Sequence, residues 1–501
     1  MTRTPLDQST TPYASALQAQ AAKVSVNLMV PGHGATSEGL ASELADFCGE
    51  RALALDIPPL INGIDVGPAS PLVQATELAA EAWGAQKTWF LANGASQANR
   101  MAALAIAGLG RGDSVIAQRS AHSSFTDGVI LGDLLPLFVI PSIDTARGIN
   151  HGVHPDALHS ALTSAENDGI PVSAVYIISP SYFGAVADVT GLSRVAHEHG
   201  VPLVVDGAWG PHFGFHEDLP ESPTRLGADL TVSSTHKLAG SLTQSAMLHL
   251  SDGPFANRLL PLLERAYMTT QTTSPSALLL GSLDIARRSM ATGHDLIGAS
   301  IVEVEKFRDQ VRASDTYTII SDGFSDFDDI IAHDPMRVSI DVSATGLSGH
   351  KIRDILDSEF DIHLEISTAQ AVVAFIGPGK FPDLNRFANA LLEIASRLDP
   401  HQVPPALDFP PLPQPGPMIM RPRAAYFSQY VTIPADQAAG RVSADALAAY
   451  PPGIPNVIPG EAITPDMIKF LQQVAASPIG YVRGALDSKV SHFRVVIEPG
   501  E

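Results

Sequence analysis

The chain has 501 residues, with 31 Lys and Arg against 53 Asp and Glu, a formal net charge of −22. That length exceeds one compact core and points to two or three domains, while 45% hydrophobic and 17% charged residues exclude general disorder. The acidic balance excludes sequence-independent binding to nucleic acid, which needs a basic face, and fits a solvated acidic surface able to draw in cations.

Residues 1–65 read as an amphipathic helix followed by an irregular arm carrying "MVPGHGATSEGL". The opening residues lack the apolar core of a secretory signal, and no apolar run approaches the roughly 18 residues that span a bilayer, so no membrane is involved and the cytosol is the expected compartment. The lone cysteine, Cys48, excludes an internal disulfide and reads as a small buried residue. Over 66–310, strand-length apolar runs ("KTWFLA", "DSVIAQ", "LPLFVI", "VSAVYIIS", "PLVVD", "LTVSS") alternate with helical stretches such as "SQANRMAALAIAGL" and "TGLSRVAHEHG". This alternation predicts an α/β unit with a mostly parallel sheet covered on both faces and ligands at the carboxyl ends of its strands. Over 311–398, "TYTII" and "MRVSIDVSA" alternate like edge strands and "SGHKIRDILDSEF" is an amphipathic helix, so a smaller α+β domain is expected. The proline-rich stretch 399–418 reads as a linker to a last segment, 419–501, which contains "YPPGIPNVIPGE".

Candidate chemistry gathers at strand ends. In "WFLANGASQANR", Gly94 permits a tight turn, a helix is expected to start near Gln97, and the amides of Ala95 and Ser96 with the Ser96 hydroxyl form an anion site; Ser96 could equally be an N-cap. Asp206 ends the apolar strand "PLVVD", where a carboxylate needs a positive partner such as a protonated pyridine nitrogen, unless it merely caps a turn. Lys237 follows a strand and the polar run Ser234, Thr235, His236, and a lysine at the mouth of a sheet can form a Schiff base with an aldehyde. His122 lies just beyond another strand, where a flat imidazole can stack on an aromatic cofactor or simply bond the loop.

Taken in chain order, these residues resemble a fold-type I pyridoxal phosphate enzyme, and more closely the Orn/Lys/Arg decarboxylase family. The matching stretches are "PGHG" (31–34), "NGAS" (93–96), "AH" (121–122), "DGAWGPHFGFHEDLP" (206–220), "SSTHKLAGSLTQSAMLH" (233–249), "TTSPSALLLGSLDIAR" (272–287) and "YPPGIPNVIPGE" (450–461). The resemblance implies a mostly parallel seven-stranded sheet and a C-terminal decarboxylase domain. It implies pyridoxal 5′-phosphate held by Lys237, with Asp206 on the pyridinium nitrogen, His122 stacked on one ring face and Ala208 on the other. Gly94, Ala95, Ser96, Ser234 and His236 would surround the phosphate, Trp209 would line the pocket, and Ser274 would reach a phosphate across a dimer interface. A homodimer or larger homo-oligomer follows, acting on a small basic amino acid in polyamine biosynthesis.

Two positions depart from the family pattern. Gly34 stands where Pro-Gly-His is usually followed by lysine, and Ser123 stands where lysine usually follows the histidine. Both remove a positive charge and put substrate choice in question. Lysine or arginine precedes ornithine as the expected substrate, with Glu461 and Asp65 as candidate acids for its distal cation. An aminotransferase or lyase on the same fold is the rival, with Arg423 the nearest candidate for a carboxylate-binding arginine; a cofactor-free regulatory relative is a further alternative. "GLGRGD" (108–113) joins a helix to a strand, the reverse of a dinucleotide loop, and the pairs "HEH" and "HFGFH" lack a convincing third ligand, so no metal is expected.

Overall fold

The computed structural model describes residues 6–23, 25–144, 147–398, 413–450, 454–476 and 481–498. Seven strands form its main sheet: Lys87–Leu91 (β1), Ser114–Gln118 (β2), Leu135–Val139 (β3), Val172–Ile178 (β4), Leu203–Asp206 (β5), Leu230–Ser233 (β6) and Ala246–Leu250 (β7). Their order is β1-β7-β6-β5-β4-β2-β3, with β7 antiparallel to both neighbours and the other pairs parallel. β1 therefore runs with the parallel set, and β1, β2, β5 and β6 all end at one edge.

The apolar runs are buried on both faces. Ala174 and Tyr176 of β4 join a core with the helices Gly94–Ala107, Ser123–Gly132 and Ala256–Thr270, while Val175 and Ile177 join one with Pro155–Asn167 and Val189–Glu198. Each large aliphatic side chain so buried contributes about 1.5–3 kcal/mol. The helices Gly94–Ala107 and Ser123–Gly132 pack so closely that a Cβ at Gly128 would lie 2.7 Å from that of Ala103. That contact fixes the start of the second helix, and with it His122.

A four-stranded antiparallel sheet contains Thr318–Ile319, Arg337–Asp341, Ala371–Phe375 and Ile366–Ser367 in that order. The expectation of edge strands fails for Arg337–Asp341, which is interior and buried at all five residues. Its polar side chains face carbonyls rather than solvent: Ser339 Oγ donates to Phe183 O (3.0 Å), and Arg337 donates to Ser181 O and Trp209 O. A pairing of Ala185–Ala187 with Ile330–His333 further ties the two sheets together.

The C-terminal segment builds its own core around the helix Pro465–Ala476, a two-stranded sheet, and a three-stranded sheet of Ile454–Val457, Leu447–Tyr450 and Tyr481–Arg483. Of the proline-rich stretch, 399–412 lie outside the described residues, as do 451–453 of "YPPGIP". Cys48, expected to be buried, is exposed at the end of the helix Ser42–Cys48. Its neighbourhood explains this, since the arm leaves Val26, Leu28, Val30, Leu40, Phe47 and Leu60 exposed as well. Among the described residues no helix is long and apolar enough to cross a membrane.

Candidate active site

The carboxyl edge of the main sheet brings the strand-end residues together. After β1 the chain turns at Gly94, whose φ of +70° suits glycine and whose N–H donates to Gln244 O at 2.7 Å. The turn starts the helix at Gly94, ahead of the expected Gln97, with Asn93 rather than Ser96 as N-cap. Ala95 and Ser96 lie in the first turn, where amides have no acceptor within the helix and the dipole favours an anion. Gln97 Nε2 donates to Gln271 Oε1 (2.8 Å), linking this turn to the loop that carries Ser274. Ser274 is exposed and its own N–H bonds Thr272 Oγ1.

Asp206 is buried at the end of β5. Its Oδ2 accepts from Tyr176 Oη at 2.6 Å and Asn99 Nδ2 at 3.1 Å, and its Oδ1 from the Ala208 amide at 3.1 Å. Burial and the carboxylate push the Tyr176 hydroxyl well above its ordinary pKa, so it remains a donor. Asn99 Nδ2 also donates to Ser124 Oγ (2.9 Å), which lies 2.9 Å from His122 Nδ1. That same Nδ1 accepts the Ser124 amide (3.2 Å), which places the proton of the neutral imidazole on Nε2. Burial, opposed by Asp206 and aided by Lys237 and Arg483, lowers the His122 pKa and favours that neutral form.

Lys237 lies just beyond β6, as expected of a residue at the mouth of the sheet, but on a single helical turn, Thr235–Leu238. Its Nζ lies 3.5 Å from the centre of the Trp209 ring. Burial, partly offset by Asp206 and Glu365 and reinforced by Arg337, lowers its pKa from 10.5 to about 8. Trp209 is stacked on Phe375 with centroids 4.6 Å apart. Beneath it Arg337, Asp334 and His212 form a fully buried set, with Asp334 Oδ1 at 3.0 Å from His212 Nε2 and Oδ2 at 3.3 Å from Arg337. His236 Nδ1 donates to Ser245 O at 2.8 Å, so in the neutral ring Nε2 is an acceptor, and it gives an anion a hydrogen bond only when protonated. Burial lowers the His236 pKa. The buried hydroxyls of Ser233 and Thr235 have no hydrogen-bond partner within the described chain.

Other sequence candidates are engaged elsewhere. Glu461 is buried in a two-pronged pair with Arg119, Asp65 Oδ1 and Oδ2 accept the amides of Ile61 and Leu60, and Arg423 donates to the carbonyls of Ile130 and Leu131. His197 pairs with Asp229, and His199 with Glu166. Of the "HFGFH" pair, His212 is taken by Asp334, but His216 has Glu217 and His294 beside it, with ligand atoms of the three within 4.8 Å of one another, although His216 Nδ1 already accepts the Asp218 amide. Asn99, Tyr176, Ser124, Arg337 and Glu365 were missed. A lone asparagine among the alanines of "ANRMAALAIA" was the available signal for Asn99.

This architecture is that of the fold-type I pyridoxal-phosphate enzymes. Residues 11–381 match the Orn/Lys/Arg decarboxylase major domain and 414–478 the Orn/Lys/Arg decarboxylase C-terminal domain, so the chain belongs to the Orn/Lys/Arg decarboxylase family and is an amino-acid decarboxylase. An arginine decarboxylase of Bacillus subtilis (strain 168) is 33% identical over 497 residues, spanning 98% of this chain and 99% of that protein. The constitutive lysine decarboxylase of Escherichia coli (strain K12) is 24% identical, spanning 92% of this chain and 76% of that one. The solved lysine decarboxylase A from Pseudomonas aeruginosa superposes with a TM-score of 0.81 at 20% identity, covering 97% of this chain and 80% of that one.

Proposed function

We propose that the site binds pyridoxal 5′-phosphate and decarboxylates arginine to agmatine, feeding polyamine synthesis. One juxtaposition carries the reading: a lysine amine with its pKa near 8 shares a sheet edge with a buried carboxylate whose hydrogen-bond donors are all neutral. Such a carboxylate suits a protonated ring nitrogen, the first-turn amides of Ala95 and Ser96 suit a phosphate, and the unpartnered Ser233 and Thr235 hydroxyls mark a pocket for polar groups. The residues therefore fit the cofactor.

When bound, the cofactor supplies an aldehyde that captures the substrate amine and an electron-poor ring that accepts the electrons released with CO₂. Asp206 would pair with the ring nitrogen, and the hydrogen bonds from Asn99 and Tyr176 aim its carboxylate. His122 would stack on one face of the ring with Ala208 on the other, and Trp209, against which the Lys237 amine lies, would wall the site. Gly94, Ala95, Ser96 and Ser234 would surround the phosphate, with His236 beside it and able to donate where the anion's charge outweighs burial and protonates the ring. Lys237 Nζ, titrating near neutrality, returns a proton to the substrate α-carbon, with His122 Nε2 the second candidate donor. Glu365 takes the distal cation: it acts electrostatically on Lys237, and the next residue, Ile366, packs in the cluster that contains Trp209. This replaces Glu461 and Asp65 in that role.

In the same reading residues 66–310 bind the cofactor, 311–398 close the site and 419–501 complete it. The protein works as a homodimer, supported by the exposed apolar arm and by the exposed Ser274 loop, which a second copy would carry to a phosphate. Arginine is favoured because the arginine decarboxylase relative matches this chain end to end. Incubating the holoenzyme separately with arginine, lysine and ornithine, and measuring CO₂ and amine, tests both claims. Faster turnover of lysine would overturn the substrate assignment; keto acid without CO₂ would overturn the reaction.

A further inference from the structure

The turn that carries His122 is gripped at both ends by residues from far along the chain. At one end Arg119, the residue after β2, donates to Glu461 Oε1 (2.5 Å), Glu461 Oε2 (3.0 Å) and Asn456 O (2.8 Å), with both charged side chains buried. At the other end Ser123 Oγ lies 3.1 Å from Arg483 Nη1, which donates to it. Both grips belong to one small unit. Asn456 lies on Ile454–Val457, Arg483 on Tyr481–Arg483, and both strands pair with Leu447–Tyr450. The unit is itself braced, because Glu461 Oε2 accepts the Ile458 amide (3.0 Å) and Asn456 Oδ1 accepts the Ala449 amide (2.7 Å).

His122 is meanwhile held from the sheet side through Ser124, Asn99 and Asp206. A ring held on one side, in a turn clamped at both ends, has only Nε2–H left to direct. Position 123 itself carries no charge. The Arg483 guanidinium stands beside that position, close enough to disfavour a protonated His122 along with Lys237, against the pull of Asp206 and Asp127.

We propose that the three-stranded C-terminal sheet and the turn after it that carries Glu461 form a positioning device for His122, in which Glu461 anchors Arg119 while Arg483 anchors Ser123 and sets a cation beside the turn. The inference rests on His122 stacking on the cofactor. It assigns a role to "PNVIPGE" (455–461) that involves no contact with the substrate: Asn456 and Glu461 hold the frame on which the histidine sits.

Arg483→Ala is the variant of choice, because Arg483 is exposed and its loss leaves no buried charge behind. The holoenzyme variant is expected to melt within a few degrees of the parent, lose about tenfold in kcat with KM little changed, and show altered circular dichroism of the bound cofactor; small misplacements of catalytic groups cost up to about 10²-fold. Arg483→Lys should recover part of the loss. The double variant Ser123→Lys with Arg483→Ala, which returns a cation to the turn from the other side, should recover most of it. A parental spectrum and kcat for Arg483→Ala, or a double variant no better than the single one, would overturn the proposal. Hydrogen exchange over residues 119–125 separates this failure from failure of the cofactor reading. If the purified protein takes up no pyridoxal phosphate, that reading falls, yet faster exchange in Arg483→Ala still supports the clamp and unchanged exchange still rejects it.

Discussion

Asp206 is held by Tyr176 and Asn99, partners 30 and 107 positions away, whereas Arg119 and Ser123 are held by partners 342 and 360 positions away. The first set belongs to the main sheet and its covering helices, so it is complete once that sheet has formed. The second requires a separately cored segment to dock on the finished sheet. The floor of the site therefore sets its chemistry, and the roof sets its geometry. Substitutions in the two layers should fail in different ways.

The largest effect is expected on the floor. Lys237→Ala should remove the visible band of the lysine-bound cofactor and lower kcat by about 10⁴-fold or more; an unchanged spectrum would return Lys237 to an ordinary lysine. Asp206→Asn should cost about 10²–10³-fold in kcat, as loss of a preorganised charge does, with thermal stability nearly kept. In the roof, where Arg483→Ala should cost only about tenfold in kcat, the buried ion pair should cost stability as well. Glu461→Gln leaves the buried Arg119 charge without its counter-ion and is expected to destabilise the protein by about 3–5 kcal/mol in denaturant titrations. Parental stability in that variant would show that the pair carries no such load and would erase the distinction between the layers. Smallest is a pH effect in the apoprotein. Lys237 loses its proton near 8 instead of 10.5, so its capture of an aldehyde should rise with pH and level off above about 8, followed by the growth of the bound-cofactor band.

The floor was legible because polar residues that end apolar strands are conspicuous. Asp206 after "LVV" and Lys237 after "LTVSSTH" announce themselves against their surroundings, and the strand–helix alternation orders them. Asn99 was hidden because it is one buried amide in a helix otherwise rich in alanine, with partners on other elements. The polar alternation in "RVSID" reads as a half-exposed strand, since a sequence does not reveal that the polar side will meet the carbonyls of Ser181, Phe183 and Trp209. Glu461 read as a substrate acid for the same reason. Its identity is visible in the sequence, but its neutralisation by Arg119 is a fact of tertiary structure. Cys48 was misplaced because small apolar residues predict burial only where a core exists to receive them, and the arm has little.

The buried set beneath Trp209 bears on how substrate can enter. Arg337 comes from the four-stranded sheet, yet its hydrogen bonds end on the main-sheet loops at Ser181 and Trp209, and its counter-ion Asp334 pairs with His212 from the main-sheet side. A hinge opening between the two sheets would have to part these groups in a dry interior, at about 3–5 kcal/mol for a broken buried pair. These buried contacts tie the two sheets together. Gating falls instead to loops and side chains at the mouth, and turnover should be insensitive to agents that slow large-scale breathing.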